Sequence, residues 1–312
     1  MKKNLITIGK VAVTLVLVFW LIERVEWSVV KTELVEVSWT LLFLYVLLQI
    51  AGNIISVSNW QNIALYKGLS FGLKEGFFAF MTGAFINNFL PSTIGGDAYR
   101  GLWLARKTGA RAAALSTVVF HRFIGLFTTA LLALVLSFVL WEHVFTSMPL
   151  LITLLALFAF LVLDLMLTIL HGQPWFQGLV EKIPFQKVRR LSQEIVFYTT
   201  KKIWTETSVR AALFVFVGVG LTNYTLFQAL GNDIPFLSFL AVIFLVVIVS
   251  SIPISIGNIG IKEWAYVVFF GLIGVSVETA VTVALLSRFI QMLISFVALP
   301  QYLSSRTKDV TP

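Results

Sequence analysis

Long apolar runs alternate with short polar segments along most of the 312-residue chain. A helix needs about 20 apolar residues to cross the hydrocarbon layer of a membrane. By this measure we expect full spans at roughly residues 5–22, 38–59, 112–140, 149–170, 209–230 and 279–303. The pattern predicts an all-α polytopic membrane protein, with about six full transmembrane helices in a single membrane domain over residues 1–312.

Two further apolar segments, at roughly residues 75–95 and 236–274, are interrupted by proline and glycine. The first contains Pro91 and Gly95, and the second contains Pro253 and Gly257 at an offset of 162 residues. Irregular backbone at membrane depth is tolerated only where it is buried in protein or lines a cavity. We therefore predict two re-entrant broken-helix segments.

Basic residues recur in the same order after each broken segment. Arg100 is matched by Lys262 at the same offset of 162, and Arg122-Phe-Ile is matched by Arg288-Phe-Ile at 166. The second copy is then longer by about one helical turn, roughly 3.6 residues. We predict a duplication, with the first repeat over 38–140 and the second over 208–303.

The distribution of positive charge predicts the orientation of the helices. Cytoplasmic loops carry an excess of lysine and arginine, so Lys2 and Lys3 place the N-terminus in the cytoplasm, and the C-terminus is expected there too. Residues 171–207 form a basic cytoplasmic loop, solvated or drawn to anionic headgroups, with Trp175 and Trp204 as interfacial anchors. All basic clusters share one face if the broken segments enter from opposite sides, which predicts an inverted repeat.

Composition narrows the functional classes. Hydrophobic residues make up 58% of the chain and charged residues 12%, with a mean hydropathy of +0.93, whereas soluble domains carry about 25% charged residues. The net charge of +8 reflects membrane topology and predicts no nucleic-acid partner. There is no cysteine, the three histidines are scattered, and no common hydrolase, metalloprotease or nucleotide-binding motif occurs. We expect no catalytic residue, metal or cofactor, and hence no enzyme.

Charged residues inside the spans indicate where a substrate binds, because they are costly in lipid. Arg100, Arg122, Lys262 and Arg288 are expected to form a cationic ring, and arginine makes bidentate contacts with phosphate. Opened helix ends also bind phosphate through backbone N–H groups. The predicted binding set is completed by Asn88, Gly95, Gly96, Gly257 and Asn258.

Four further residues are candidates for charge compensation or coupling: Asp97, Glu263, His121 and Asp164. Asp97 fits an N-cap of the helix that follows, with Arg100 as its partner, or a proton carrier. His121 is either a hydrogen-bonded interior histidine or a titrating group. Asp164 could pair with a cation, hold a proton or lie near the membrane interface. The interior arginines could equally be structural, paired with carboxylates or freed carbonyls.

Taken together, these motifs resemble the lysylphosphatidylglycerol synthase transmembrane (flippase-like) family. The resemblance rests on Asn88-Phe-Leu-Pro91, Gly95-Gly-Asp97, Arg100, Arg122, Pro253-x-Ser-x-Gly257-x-x-Gly260-x-x-Glu263 and Arg288. This family is the membrane half of the multiple peptide resistance factor and also occurs as stand-alone proteins. The chain departs from the family pattern at His121 and Gly125, where acidic residues are common, and at Asn258, where glycine is common.

The resemblance implies lipid translocation across the bacterial cytoplasmic membrane. The expected cargo is a phosphate-containing lipid: an aminoacylated or other phospholipid, or a polyprenyl-phosphate-linked lipid. The soluble synthase domain of two-part members has no room in this chain. The alternatives are a membrane subunit of a lipid-modifying aminoacyl- or glycosyl-transferase system, and a scaffold that recruits a cytoplasmic synthase through residues 171–207. A lipid-modifying synthase and a second copy in a homodimer remain open as partners.

Overall fold

The computed structural model describes residues 2–89, 94–170 and 201–300, together with Gly178, Glu181, Gln186, Gln193, Glu194 and Tyr198. Its helices are α1 (Lys2–Arg24), α2 (Trp27–Glu36), α3 (Trp39–Tyr66), α4 (Leu73–Phe89), α5 (Ile94–Thr108), α6 (Arg111–Leu136), α7 (Met148–Leu170), α8 (Lys201–Phe214), α9 (Thr222–Ala229), α10 (Phe236–Ser250), α11 (Ile261–Gly271) and α12 (Val277–Ser295). A π-helical stretch, Val215–Leu221, joins α8 to α9. Short 3-10 turns occur at Ser137–His143, Ile256–Asn258 and Phe296–Ala298.

Within these described ranges, four helical stretches are long and apolar enough to cross a membrane: Trp39–Tyr66, Arg111–His143, Lys202–Ala229 and Val277–Ala298. Two shorter apolar helices cover Met148–Asp164 and Phe236–Ser250. The prediction of an all-α, multi-pass membrane protein is therefore confirmed. The structure does not establish the predicted count of six full spans with two re-entrant segments.

Two segments outside the predicted spans are helical. Residues 27–36, which follow the first predicted span, form α2, whose Val30 packs with Leu21 and Val281 in a small apolar cluster. The end of the predicted basic loop, residues 201–207, is the first part of α8, and Trp204 packs there against the rings of Phe120 and Phe127. Most of residues 171–200, including Trp175, lie outside the described part of the chain.

The largest apolar core surrounds α10. This helix is apolar on all sides, as expected of a helix buried all round. Its Phe239 is fully buried and lies against Phe227 of α9 and Phe270 of α11, with ring centroids 5.5 Å away in both cases. The broken second segment is thus built around a rigid central helix.

The backbones of α3 and the π-helical stretch meet at a pair of glycines. A Cβ atom placed on Gly52 would lie 2.4 Å from the Cα atom of Gly218, a distance that no side chain tolerates. Glycine is therefore required at this crossing. Such π-helical turns occur often at functional sites, and this one places α8 and α9 against α3.

Candidate functional site

An ion-pair cluster at the first broken segment joins α5 to α6. Asp97 accepts a hydrogen bond from Arg100 Nη2 at 2.5 Å and another from Arg122 Nη1. One carboxylate therefore neutralises one of two guanidinium groups, and the cluster keeps a net positive charge. Arg122 is the more accessible cation, since 36% of its side chain is exposed against 6% for Arg100.

The position of Asp97 corrects its predicted role as an N-cap. Helix α5 begins at Ile94, so Asp97 lies inside the first turn. Arg100 is one turn further on and lies over the rings of Trp60 and Phe80, with centroid distances of 5.3 and 4.7 Å. Its Nη1 atom is buried and has no hydrogen-bond partner among the described residues.

Helices α4 and α5 approach closely beside this cluster. A Cβ atom on Gly96 would lie 2.2 Å from the carbonyl oxygen of Gly83, and Asn87 Oδ1 accepts a hydrogen bond from the Gly96 N–H group at 2.7 Å. Gly95 lies in the same first turn of α5. Asn88 instead donates to Ser295 Oγ at 2.8 Å, on the last part of α12. Asn87 was not among the predicted site residues, although it is a polar residue in an apolar run next to Asn88.

A second ion-pair cluster joins α11 to α12. Glu263 is 2% exposed and accepts hydrogen bonds from Arg288 Nη2 at 3.0 Å and from the Gly260 N–H group at 2.7 Å. Arg288 also donates to the carbonyl oxygens of Gly257 at 2.9 Å and Asn258 at 3.0 Å. Arg288 therefore holds the irregular backbone of the second segment in place.

The two clusters share a sequence spacing. Asp97 and Arg122 are 25 residues apart, and so are Glu263 and Arg288. These contacts match the two carboxylates at an offset of 166 residues, so the position of Arg100 corresponds to Tyr266 rather than to Lys262. The additional turn of the second copy then lies before Glu263, in the irregular backbone that ends at Gly260.

Lys262 lines a cavity of about 370 Å³, and none of the three arginines lines it. Its Nζ atom donates to Ser287 Oγ at 2.8 Å and lies 5.8 Å from the centroid of the Tyr266 ring. No carboxylate of the described residues forms a salt bridge with it. Of the described residues that line this cavity, Lys262 alone is cationic.

Most of the surface of this cavity is apolar, but half of its lining residues are polar, so we call it the polar cavity. Several of its polar groups are available to a ligand. Gln49 and Asn53 of α3 line it and make no hydrogen bond with another described residue, although Asn53 is only 8% exposed. Ser250 Oγ is buried and has no hydrogen-bond partner in the described part of the chain. Asn223 is held in place because its Oδ1 accepts from the hydroxyl group of Tyr266 at 2.9 Å.

The predicted ring of four cations is therefore divided in this structure. Lys262 lines the polar cavity, whereas Arg100, Arg122 and Arg288 lie in the two ion-pair clusters. The polar side chains Gln49 and Asn53 of α3 were not among the predicted site residues, although their position within an apolar span is a signal that could have identified them. Gln291 and Ser295 of α12, which also line the cavity, had no distinguishing signal in the sequence.

The remaining candidates lie away from the cavity. His121 Nε2 is 3.0 Å from the carbonyl oxygen of Ser56 and 3.4 Å from Ser56 Oγ, as expected of a hydrogen-bonded interior histidine. Asp164 of α7 is 8% exposed and forms no salt bridge with a described residue. Asn258 has φ of +59° and donates to the carbonyl oxygen of Ser250 at 2.6 Å, so its side chain supports the broken backbone.

These features define an all-α, multi-pass membrane protein with internal ion pairs beside two helix breaks. The chain belongs to the family described as the lysylphosphatidylglycerol synthase TM region, whose family model matches residues 7–298. The resemblance in the motifs is thereby confirmed over nearly the whole chain. A search of curated proteins gave no match, and a search of solved structures gave none either.

Proposed function

We propose that this protein translocates a phosphate-containing lipid across the bacterial cytoplasmic membrane, without changing the lipid chemically. The single observation that carries the proposal is Lys262, a cation without a carboxylate partner among the described residues, facing a polar cavity inside a membrane bundle. Intramembrane ionisable groups that face a cavity mark substrate pathways. An aminoacylated or other phospholipid and a polyprenyl-phosphate-linked lipid share the phosphate that this site would bind.

The chemistry of the cavity supports a headgroup ligand. Ligand pockets usually span about 300–1,000 Å³, so a cavity of about 370 Å³ accommodates a headgroup but not a whole lipid. The ammonium of Lys262 would contact the phosphate, and the amides of Gln49 and Asn53 would bind its oxygens or the neighbouring hydroxyl groups. The hydrocarbon chains would stay outside this polar space.

The spacing of the two broken segments supports an inverted repeat and hence alternating access. The two halves meet at Gly52 and Gly218, whose backbones touch each other. The offset is 162 residues before the additional turn, so Ala84 corresponds to Val246, and both residues line the cavity. Equivalent positions that line one space are expected near a pseudo-two-fold axis, which is where such transporters bind their substrate.

In this proposal the arginines do not form one ring around the headgroup, and they have separate roles along the lipid pathway. Arg288 holds the second helix break, while the partly exposed Arg122 offers the net charge of its cluster to a phosphate at a second position. The lipid is the primary partner, and a lipid-modifying synthase would supply it. Both termini would lie in the cytoplasm.

The test is transport in proteoliposomes by Lys262→Gln, against Lys107→Gln as the control. Lys107 forms a surface salt bridge with Glu75 outside the cavity. We expect Lys262→Gln to slow transport by about 10- to 150-fold, because losing a charge-assisted hydrogen bond costs about 1.5–3 kcal/mol. Lys107→Gln should leave transport unchanged. The panel comprises phosphatidylglycerol, its lysyl ester and phosphatidylethanolamine.

Three outcomes would contradict the proposal. Folded protein that moves no member of the panel would argue against translocation. Equal transport rates for Lys262→Gln and the native protein would show that Lys262 is not part of the substrate site. A chemically altered lipid after incubation with purified protein would favour the alternative of a transferase subunit.

A further inference from the structure

A second cavity, of about 580 Å³, lies between α6, α7, α10 and the start of α11. Its walls are almost entirely apolar, with Leu126, Ala130, Ala156, Ile252, Ile254 and Trp264 among the residues that face it. We call this space the apolar groove. Its volume and lining suit a hydrocarbon chain and offer nothing to a charged group.

The apolar groove and the polar cavity share one wall. Ser251 lines both spaces, and two pairs of neighbours divide between them. Ser250 and Lys262 face the polar cavity, whereas Val249 and Ile261 face the apolar groove. A molecule with an anionic head and an apolar tail matches this arrangement, because its two parts would lie on the two sides of the same backbone.

The corresponding seam in the other half of the molecule is filled. There, Phe85 of α4 and Phe296 after α12 meet edge to face with ring centroids 5.2 Å apart. At the offset of 166 residues, which applies after the additional turn, Phe296 corresponds to Ala130, and Ala130 lines the apolar groove. The small side chain of Ala130 leaves space in the groove where the opposite seam has the aromatic ring of Phe296.

We propose that the apolar groove binds one acyl chain of the lipid whose headgroup occupies the polar cavity. The inference rests on the proposed function, which supplies the lipid and its headgroup site. It adds that one seam of the bundle selects the lipid by its chain as well as by its head. The aromatic contact at the opposite seam excludes a chain from the equivalent place.

The experiment measures binding of phosphatidylglycerol brominated at mid-chain to the full chain in detergent. Bromine quenches nearby tryptophan, so the signal of Trp264 is taken as the difference between native protein and Trp264→Phe. The groove is filled by Ala156→Phe. The matched control is Leu155→Phe on the same helix, at a position that is 60% exposed and does not line the groove.

We expect Ala156→Phe to weaken quenching at Trp264 about tenfold, the factor that corresponds to about 1.4 kcal/mol, while Leu155→Phe leaves it unchanged. Binding of water-soluble glycerol phosphate, measured by calorimetry, should be the same in both variants and lost in Lys262→Gln.

Equal quenching in the two phenylalanine variants would overturn the groove assignment while leaving the headgroup site intact. If the native protein did not bind glycerol phosphate, this result would contradict the proposed function itself. Thermal unfolding of each variant identifies any that is misfolded, and Ala130→Phe then serves as a second filling variant.

Discussion

At the first helix break, Asp97 accepts hydrogen bonds from two arginines, whereas at the second, Glu263 accepts from Arg288 and a backbone N–H group. Both carboxylates lie 25 residues before their arginine partner on the next helix. The ion pair is thus common to the two halves, and the groups around it differ.

The difference lies in where each half places its remaining positive charge. In the first half that charge stays within the ion-pair cluster, on Arg100 and Arg122 around a single carboxylate. In the second half Arg288 and Glu263 balance each other, and Lys262 carries the remaining charge into the polar cavity. The same ion pair is therefore accompanied by a different arrangement of positive charge in each half.

Removing the carboxylate of the first cluster should have the largest effect. We expect Asp97→Asn to destabilise the protein by about 3–5 kcal/mol, because it leaves Arg100, whose side chain is 6% exposed, without its carboxylate partner. Glu263→Gln should cost less, since the side chain of Arg288 is 32% exposed and keeps two hydrogen bonds to backbone carbonyl oxygens. Thermal unfolding in detergent measures both, and Glu75→Gln, at an exposed salt bridge, is the control. A larger loss from Glu263→Gln would reverse the comparison.

The close helix crossing in the first half gives the next effect. Gly96→Ala would push a methyl group against the Gly83 carbonyl, and overpacking of this kind costs about 1–3 kcal/mol. Gly125→Ala in α6 is the matched control, because nothing lies within 4 Å of its added Cβ atom. We expect Gly125→Ala to be neutral or slightly stabilising in the same unfolding measurement. Equal midpoints for the two variants would show that the α4–α5 crossing is not tight.

The sequence allowed the local part of this site to be predicted. The spacing of Asp97 and Arg100, one turn apart on a helix, predicted their contact, and the arginines within apolar runs indicated partners inside the bundle. These inferences depend on helical periodicity and on the cost of charge in lipid, both of which can be judged from a single segment.

The separation of Lys262 from the arginines could not be predicted in this way. It depends on how α3, α10 and α12 pack together, and therefore on residues far apart in the chain such as Gln49 and Gln291. The apparent match of Arg100 with Lys262 also followed the glycine and proline positions, whereas the structure aligns the carboxylates. Because the additional turn precedes Glu263, Lys262 takes a position that does not correspond to that of Arg100.

The smallest expected effect tests the backbone of the second break, where the first half has a close helix crossing instead. Gly257 has φ of +58° and nothing within 4 Å of an added Cβ atom, so only its conformation resists substitution. Gly257→Ala should cost about 1–2 kcal/mol, the penalty of the left-handed region for a residue with a side chain. Gly257→Asn should cost less, because asparagine populates this region more readily and Asn258 already does so next to it, at φ of +59°. Thermal unfolding ranks the two variants. If alanine and asparagine were equally costly, contacts of the side chain rather than its φ angle would control this position, and the two helix breaks would be limited by the same kind of steric crowding.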